Sequence, residues 1–391
     1  MKTLPRVFLF TILCVVFLYI IITYLLQDKH ESPHSYNKII SDNSRVLGKI
    51  SNANNLKITS ESSLSVLETH PSPFNSKLHK IVLAVVACGD RLAETLVMIK
   101  SAIIFTSSDL VVIVFSDKKL IPSFKEKLNE WRTITNQSFS YEVYPVTFPP
   151  EENAEEWRAL FKPCASQRLF LPVILKHVDS LLYVDTDTLF LGPVENVWRH
   201  FEKMNSSQIA ALAPEHEDPN TGWYNRFARH PYYGKLGVNS GVMLMNLTRM
   251  RAFQWTAYVI PIYKEYKLKI TWGDQDIINI IFHFHPEKLY IYPCRYNYRP
   301  DHCMYMNVCK SANDEGVAVL HGSRGSFHAI KQPPFHAIYK AMEEYQLGTD
   351  LYMNLYMPMK NYLDLTSSSN CGKVRHIFTK SVEKIIQKVD L

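Results

Sequence analysis

From Lys80 onward, short apolar runs alternate with stretches that carry one apolar stripe. The run KIVLAVVA predicts a strand from about Lys80 to Ala87. Leu92, Leu96, Ile99 and Ile103 then share one face of a helix over Arg91 to Ile104. DLVVIVFSD reads as a second buried strand ending at Ser116 and Asp117, Ile121 to Trp131 as a helix, and FSYEVYPV as an alternating strand. Ser166 to His177 reads as a helix leading into residues 181–184, LLYV, a strand buried on both faces. Strands alternating with helices predict an α/β fold with a largely parallel sheet. Ligands of such sheets bind beyond the carboxyl ends of the strands. Cys88 and Gly89, Asp117, and Asp185 to Asp187 all fall at such ends.

Upstream the pattern changes twice. Val7 to Leu26 holds 20 residues without a charge, about 30 Å of helix and enough for one hydrocarbon core. Lys2 and Arg6 precede it, and no small-x-small cleavage site follows. This predicts an uncleaved signal-anchor at 7–26, a cytoplasmic tail at 1–6, and a single-pass type II protein with the rest luminal. Residues 27–78 are polar and without period, as in a flexible stem. A catalytic domain at 79–345 and a C-terminal extension at 346–391 complete the expected organisation.

With 391 residues, 47% of them apolar, the chain can bury a substantial core. Its net charge is +6 and no Lys/Arg block stands out, which disfavours nucleic acid as a partner. Of seven cysteines, Cys14 lies in the expected anchor, while Cys294, Cys303 and Cys309 cluster and Cys371 lies near the end. No CxxC pair supports zinc, so one or two disulfides of open connectivity are expected there. Asn136 and Asn205 sit in sequons and are expected to carry N-glycans; Asn246 follows the apolar run GVMLM and reads as equally suited to a buried, unmodified role.

The stretch LYVDTDTLFL sets two carboxylates inside an apolar run. Ionised carboxylates are costly to bury unless paired, and in an extended segment Asp185 and Asp187 point the same way while Thr186 points opposite. Two such oxygens suit a hard cation, Mn²⁺ or Mg²⁺, bridging to a diphosphate. Asn239, Ser240 and Gly241 form a small-residue turn before a strand, which admits close backbone approach. Asp274, Gln275 and Asp276 open an amphipathic helix behind Trp272. His321 ends a buried strand before Gly322 and Gly325, a fitting third metal ligand.

In this order the segments resemble family 8 glycosyltransferases of the GT-A fold, over about residues 80 to 330. The resemblance rests on Val82 to Gly89, Arg168, Tyr183 to Asp187, Asn239 to Gly241, Asp274 to Asp276, and His321. It implies a UDP-sugar donor, with Mn²⁺ held by Asp185, Asp187 and His321. Ala87, Cys88, Gly89 and Arg168 would contact the nucleotide, and Asn239, Ser240, Gly241, Asp274 and Gln275 the donor sugar. Asp117, Thr186, Gly322 and Arg324 complete the implied donor set. Where the family often has Gly and Lys after the histidine, this chain has Arg324 and Phe327; Arg324 would supply the missing positive charge. A retaining, front-side mechanism is implied, with Gln275 near the anomeric carbon and Asp276 the weaker nucleophile candidate.

Within the family, WYNRFARHPYYGKLGVNSG and HGSRGSFH look most like the glucoside xylosyltransferases. That likeness implies transfer of xylose from UDP-xylose, in α1,3 linkage, to O-linked glucose on EGF-like repeats in the endoplasmic reticulum or Golgi. Trp223, Tyr224, Tyr232 and Tyr233 would stack on the acceptor. The alternatives are a galactosyl- or glucosyltransferase of the same family, or an inactive binding module of the same shape.

Overall fold

Side-chain alternation decides the centre of the molecule. In β1 (Ile81–Ala87), Ile81, Leu83, Val85 and Ala87 enter one apolar layer, while Ala84 and Val86 enter the other. Such a strand is covered on both faces. The computed structural model describes residues 80–389, except 137, 149–153 and 161–163. The expected tail, anchor and stem lie outside the described residues, among which no helix is long and apolar enough to cross a membrane. α1 (Leu92–Phe105), β2 (Leu110–Ser116), α2 (Ile121–Ile134) and β3 (Phe139–Pro145) follow where the pattern predicts them. Pro122 lies in the first turn of α2, where a missing N–H is tolerated. Full burial of a Val or Leu side chain contributes about 1.5–3 kcal/mol, and the central strands consist almost wholly of such residues.

The expected helix over Ser166 to His177 is not continuous. A 3₁₀ segment, Ala165–Phe170, passes into a single α-turn, Leu171–Ile174. Pro172 provides no N–H to a preceding turn, and Cys164 enters with a left-handed φ of 71°. Then come β4 (Ser180–Val184), β5 (Thr188–Phe190), β6 (Ala210–Pro214), the short α3 (Trp223–Phe227) and β7 (Val238–Asn246). α4 (Asp274–Phe284), β8 (Leu289–Ile291), β9 (Val319–His321), α5 (Pro333–Glu344) and α6 (His376–Val389) complete the parts that matter here.

Seven strands form one sheet in the order β3-β2-β1-β4-β7-β6-β8. It is parallel from β3 to β4 and between β6 and β8, whereas β7 runs antiparallel to both its neighbours. That reversal brings the start of β7 to the carboxyl end of β4, and the Asp185 N–H donates to the Gly241 carbonyl at 2.8 Å. β5 and β9 form a separate antiparallel pair with Thr188 opposite His321.

Among the described residues there are three disulfides. Cys294–Cys309 and Cys303–Cys371 confirm the expected use of the C-terminal cysteines, and Cys88–Cys164 adds a pair at the end of β1. Asn136 and Asn205 are exposed, whereas the Asn246 side chain accepts the Arg249 N–H and caps a helix.

Candidate metal centre and active site

Two short strands assemble a group of side chains that could hold a metal ion. Pairing of β5 with β9 places His321 across from the residue after Asp187, and the Gly322 N–H donates to the Asp187 carbonyl at 2.7 Å. His321 Nε2 then lies 3.4 Å from Asp187 Oδ1 and 3.8 Å from Asp185 Oδ2. Ligand atoms of all three side chains fall within 4.8 Å of one another. Asn297 sets the imidazole: its Nδ2 donates to Asn239 Oδ1, so its Oδ1 faces His321 Nδ1 at 2.8 Å. That fixes the proton on Nδ1 and leaves the Nε2 lone pair toward the carboxylates, as a metal-binding histidine requires. Two carboxylates and one imidazole fit a divalent cation. Gly241 serves this arrangement from behind. A Cβ there would sit 2.1 Å from His321 Cε1, so its small size makes room for the ring rather than for a ligand.

Arg168 orders the carboxylates around it. Its guanidinium is buried, 3.1 Å from Asp185 through Nη2, ion-paired with Asp274 on its Nε side, hydrogen-bonded through Nη1 to the Ser240 carbonyl, and stacked on Tyr183. Burial favours the uncharged form, but Asp185 and Asp274 outweigh it and raise the Arg168 pKa further. Burial also pushes Asp274 up to about 6, against the pull of Arg168.

One cavity joins these groups. Val86, Cys88, Gly89, Asp90, Arg91 and Ala165 line its β1 end, next to Arg168, Asp185, Thr186, Asp187 and His321. Asn239, Ser240, Asp274 and Gln275 line it beside Trp223, Trp272, Glu215, Arg299, Ser323 and Arg324. Ala87, Asp117, Gly241 and Gly322 lie outside that lining. Asp117 instead accepts the Gly89 N–H at 2.8 Å and braces a turn whose φ is 69°. Arg324 lines the cavity with both Asp301 oxygens bonded to its Nη2, at 2.7 and 2.8 Å. Phe327 is fully buried against Gly322 and belongs to the core.

The expected acceptor aromatics separate. Trp223 faces the cavity, edge-on to Trp272 at 5.6 Å. Tyr224 does not: it is 1% exposed, with its ring against Gly237. Tyr232 packs on Tyr224, and Tyr233 joins the apolar layer. Asp276 likewise lies outside the cavity, 0% exposed. Its Oδ2 accepts the Thr271 and Trp272 N–H groups, each at 2.7 Å, and its Oδ1 the Tyr224 hydroxyl at 2.8 Å. Both oxygens are engaged away from the cavity, which removes Asp276 as a nucleophile candidate.

Sequence reading missed Glu215, Arg299 and Asn297. Glu215 directly follows the strand AALAP, so the strand-end rule that picked out Asp185 would have found it. It accepts the Trp223 N–H at 3.2 Å and pairs with Arg299 at 3.1 Å. Arg299 and Asn297 lie in a segment with no periodicity and offer no comparable signal.

The profile of Glycosyl transferase family 8 matches residues 82–321. The sequence is 53% identical over 332 residues to Glucoside xylosyltransferase 1 of Rattus norvegicus, covering 82% of this chain and 74% of that protein. Glucoside xylosyltransferase 1 of Homo sapiens is 53% identical over 321 residues, with 79% and 72% covered. Glucoside xylosyltransferase 2 of Mus musculus is 51% identical over 319 residues, with 79% and 72% covered. Among solved structures, a galactosyltransferase in complex with donor and acceptor sugar analogues aligns with a TM-score of 0.52 at 16% identity. That alignment covers 69% of this chain and 98% of the other, and supports the expected GT-A-like fold.

Proposed function

This chain belongs to glycosyl transferase family 8, and from that premise we propose that it transfers xylose from UDP-xylose, with retention, to O-linked glucose on EGF-like repeats. It is a glycosyltransferase whose relatives of about half identity are named glucoside xylosyltransferases. The carrying observation is the convergence of Asp185, Asp187 and His321 in the cavity that also holds Gln275. Those three residues would hold Mn²⁺, which when bound neutralises charge on the departing diphosphate. Arg168 pairs with the half-buried Asp185 and the buried Asp274 and offsets the charge of both. Gln275 presents its amide beside the donor sugar, Trp272 walls the pocket of that sugar, and Trp223 faces the side where the acceptor enters. In the reaction the xylose–phosphate bond breaks, the bond to the acceptor oxygen forms on the same face, and the acceptor proton passes to the leaving diphosphate.

The proposed setting is a luminal catalytic part on a single-pass type II anchor in the endoplasmic reticulum or Golgi. A donor screen with UDP-xylose, UDP-glucose and UDP-galactose on a glucosylated EGF-like repeat tests the reading. Transfer of xylose that stops on chelation and returns with Mn²⁺ is expected. Glucose or galactose transferred as efficiently as xylose would overturn the donor assignment.

A further inference from the structure

We propose that Tyr224 is a positioning residue that fixes which end of the Gln275 amide faces the donor sugar. The inference deepens the proposed function and rests on Gln275 lying beside the reacting carbon. A phenol hydroxyl has one proton and two lone pairs, and here all three are committed. The Asp276 carboxyl accepts two backbone N–H groups on Oδ2 and the Tyr224 proton on Oδ1, at 2.8 Å. Asn279 holds the Val238 N–H on its Oδ1 at 2.8 Å, so its Nδ2 faces the Tyr224 oxygen at 2.9 Å. One lone pair remains, and Gln275 approaches it at 3.2 Å. Only an N–H can fill it.

The opposite end of the amide gives the same answer. The Ser240 N–H lies 3.1 Å from Gln275 Oε1 and requires an acceptor there. Rotating the amide by half a turn would set oxygen against the Tyr224 lone pairs and NH₂ against the Ser240 N–H. Both contacts would become repulsive, so the carbonyl end of Gln275 is held toward Ser240 on the cavity wall. A neutral carbonyl oxygen there supports positive charge developing at the anomeric carbon, and such preorganised dipoles are an effective source of catalysis. Asp276 is itself immobile, held by the Thr271 and Trp272 N–H groups, with His230 Nε2 at 3.2 Å. Burial keeps Tyr224 protonated by raising its pKa well above 10.

Two substitutions perturb the orientation by different routes. Tyr224→Phe keeps the ring that packs on Gly237 and removes the hydroxyl. Asp276→Asn removes no heavy atom. Because two backbone N–H groups need an oxygen at the Oδ2 position, the new NH₂ faces Tyr224, turns the hydroxyl proton toward Gln275 and favours the reversed amide. Each variant is expected to lower kcat by about tenfold to a hundredfold, the range for small misplacements of a catalytic group. Donor KM and UDP affinity stay within about twofold of the starting enzyme, as for a group that acts only in the transition state. Combined with Gln275→Ala, each adds no further loss, and should Tyr224→Phe fail to fold, Asp276→Asn alone carries this cycle. The proposal is overturned if Gln275→Ala loses kcat while both variants keep it, or if either adds its full loss on top of Gln275→Ala. Loss in Asp276→Asn with a folded, fully active Tyr224→Phe would also overturn it, pointing to a direct role for the carboxylate. Full kcat in Gln275→Ala would instead sink the underlying reading of Gln275.

Discussion

At the scale of single residues, a glycine and a tryptophan carry the sharpest consequences. Gly241 lies outside the cavity lining, yet a methyl group at its Cβ position would overlap the His321 ring. Gly241→Ala is therefore expected to weaken the metal centre about 10- to 100-fold, the usual penalty for disturbing groups that support metal ligands. Titrating turnover against Mn²⁺ concentration checks it; an unchanged requirement would mean that the ring has room to shift. Trp272 lines the cavity directly before the helix that carries Gln275. A xylose-specific site needs a wall where a hexose carries its hydroxymethyl group, because selectivity against the larger sugar comes from exclusion. Trimming Trp272 to Ala should admit UDP-glucose and narrow the preference for UDP-xylose, by up to about a hundredfold for one such group. Paired kcat/KM measurements on the two donors decide it. If UDP-glucose remains rejected, the wall lies elsewhere.

At the scale of elements, one aromatic cluster couples stability to acidity. His200, in the 3₁₀ segment Arg199–Lys203, is 2% exposed beside Tyr290, Tyr292 and Tyr296. Neither ring nitrogen has a hydrogen-bond partner among the described residues, and burial, aided by Lys203 and Arg295, pulls its pKa from 6.5 to about 4. The unfolded chain thus binds the proton first as pH falls, so this contribution is complete above about 6.5 and is lost toward 4. On the order of 1–3 kcal/mol is at stake, and thermal melts at pH 7.5 and 5 should show a smaller drop for His200→Phe than for the unaltered protein. Equal drops would assign the acid sensitivity to other groups. The same physics governs what was legible in the sequence. β1, β2 and β4 were readable because burial on both faces demands unbroken apolar runs, and Asp185, Asp187 and His321 because they interrupt or end such runs. Strand direction leaves no periodicity, so the reversal of β7 was invisible, as was the three-residue pairing of β5 with β9. Tyr224 misled for another reason: its hydroxyl, satisfied by Asp276, Gln275 and Asn279, lets an apparently surface-loop tyrosine be buried.

At the scale of the whole molecule, the described residues beyond 345 are bound into the same core as the sheet. Leu355, Met359, Leu363, Ile377, Phe378 and Val382 are each at most 1% exposed and share an apolar layer with Leu83, Val85 and Phe335. The Val317 N–H donates to the Ile377 carbonyl at 2.9 Å just before β9, and Cys371 is bonded to Cys303 across 68 residues of sequence. β9 carries His321, so the C-terminal segment supports the strand that completes the candidate metal site. Emptying one large buried position typically costs about 2–5 kcal/mol, against a total stability of about 5–15 kcal/mol for a domain. A chain ending at residue 345 is accordingly expected to show no cooperative thermal transition and no transfer. Cys303→Ser with Cys371→Ser keeps the packing and should lose only the constraint on the unfolded chain, about 2–5 kcal/mol. The opposite truncation should be mild. Among the described residues every member of the two apolar layers lies at or beyond Ile81, and residues 27–78 are polar and without period, so a chain beginning at Lys77 should melt near the temperature of the 391-residue protein and retain its kcat/KM. Melting curves and donor kinetics on the three variants test the set together. Cooperative melting and transfer by the chain ending at 345 would make the C-terminal segment a separable attachment, and a dead chain starting at Lys77 would give the residues before it a part in the catalytic unit.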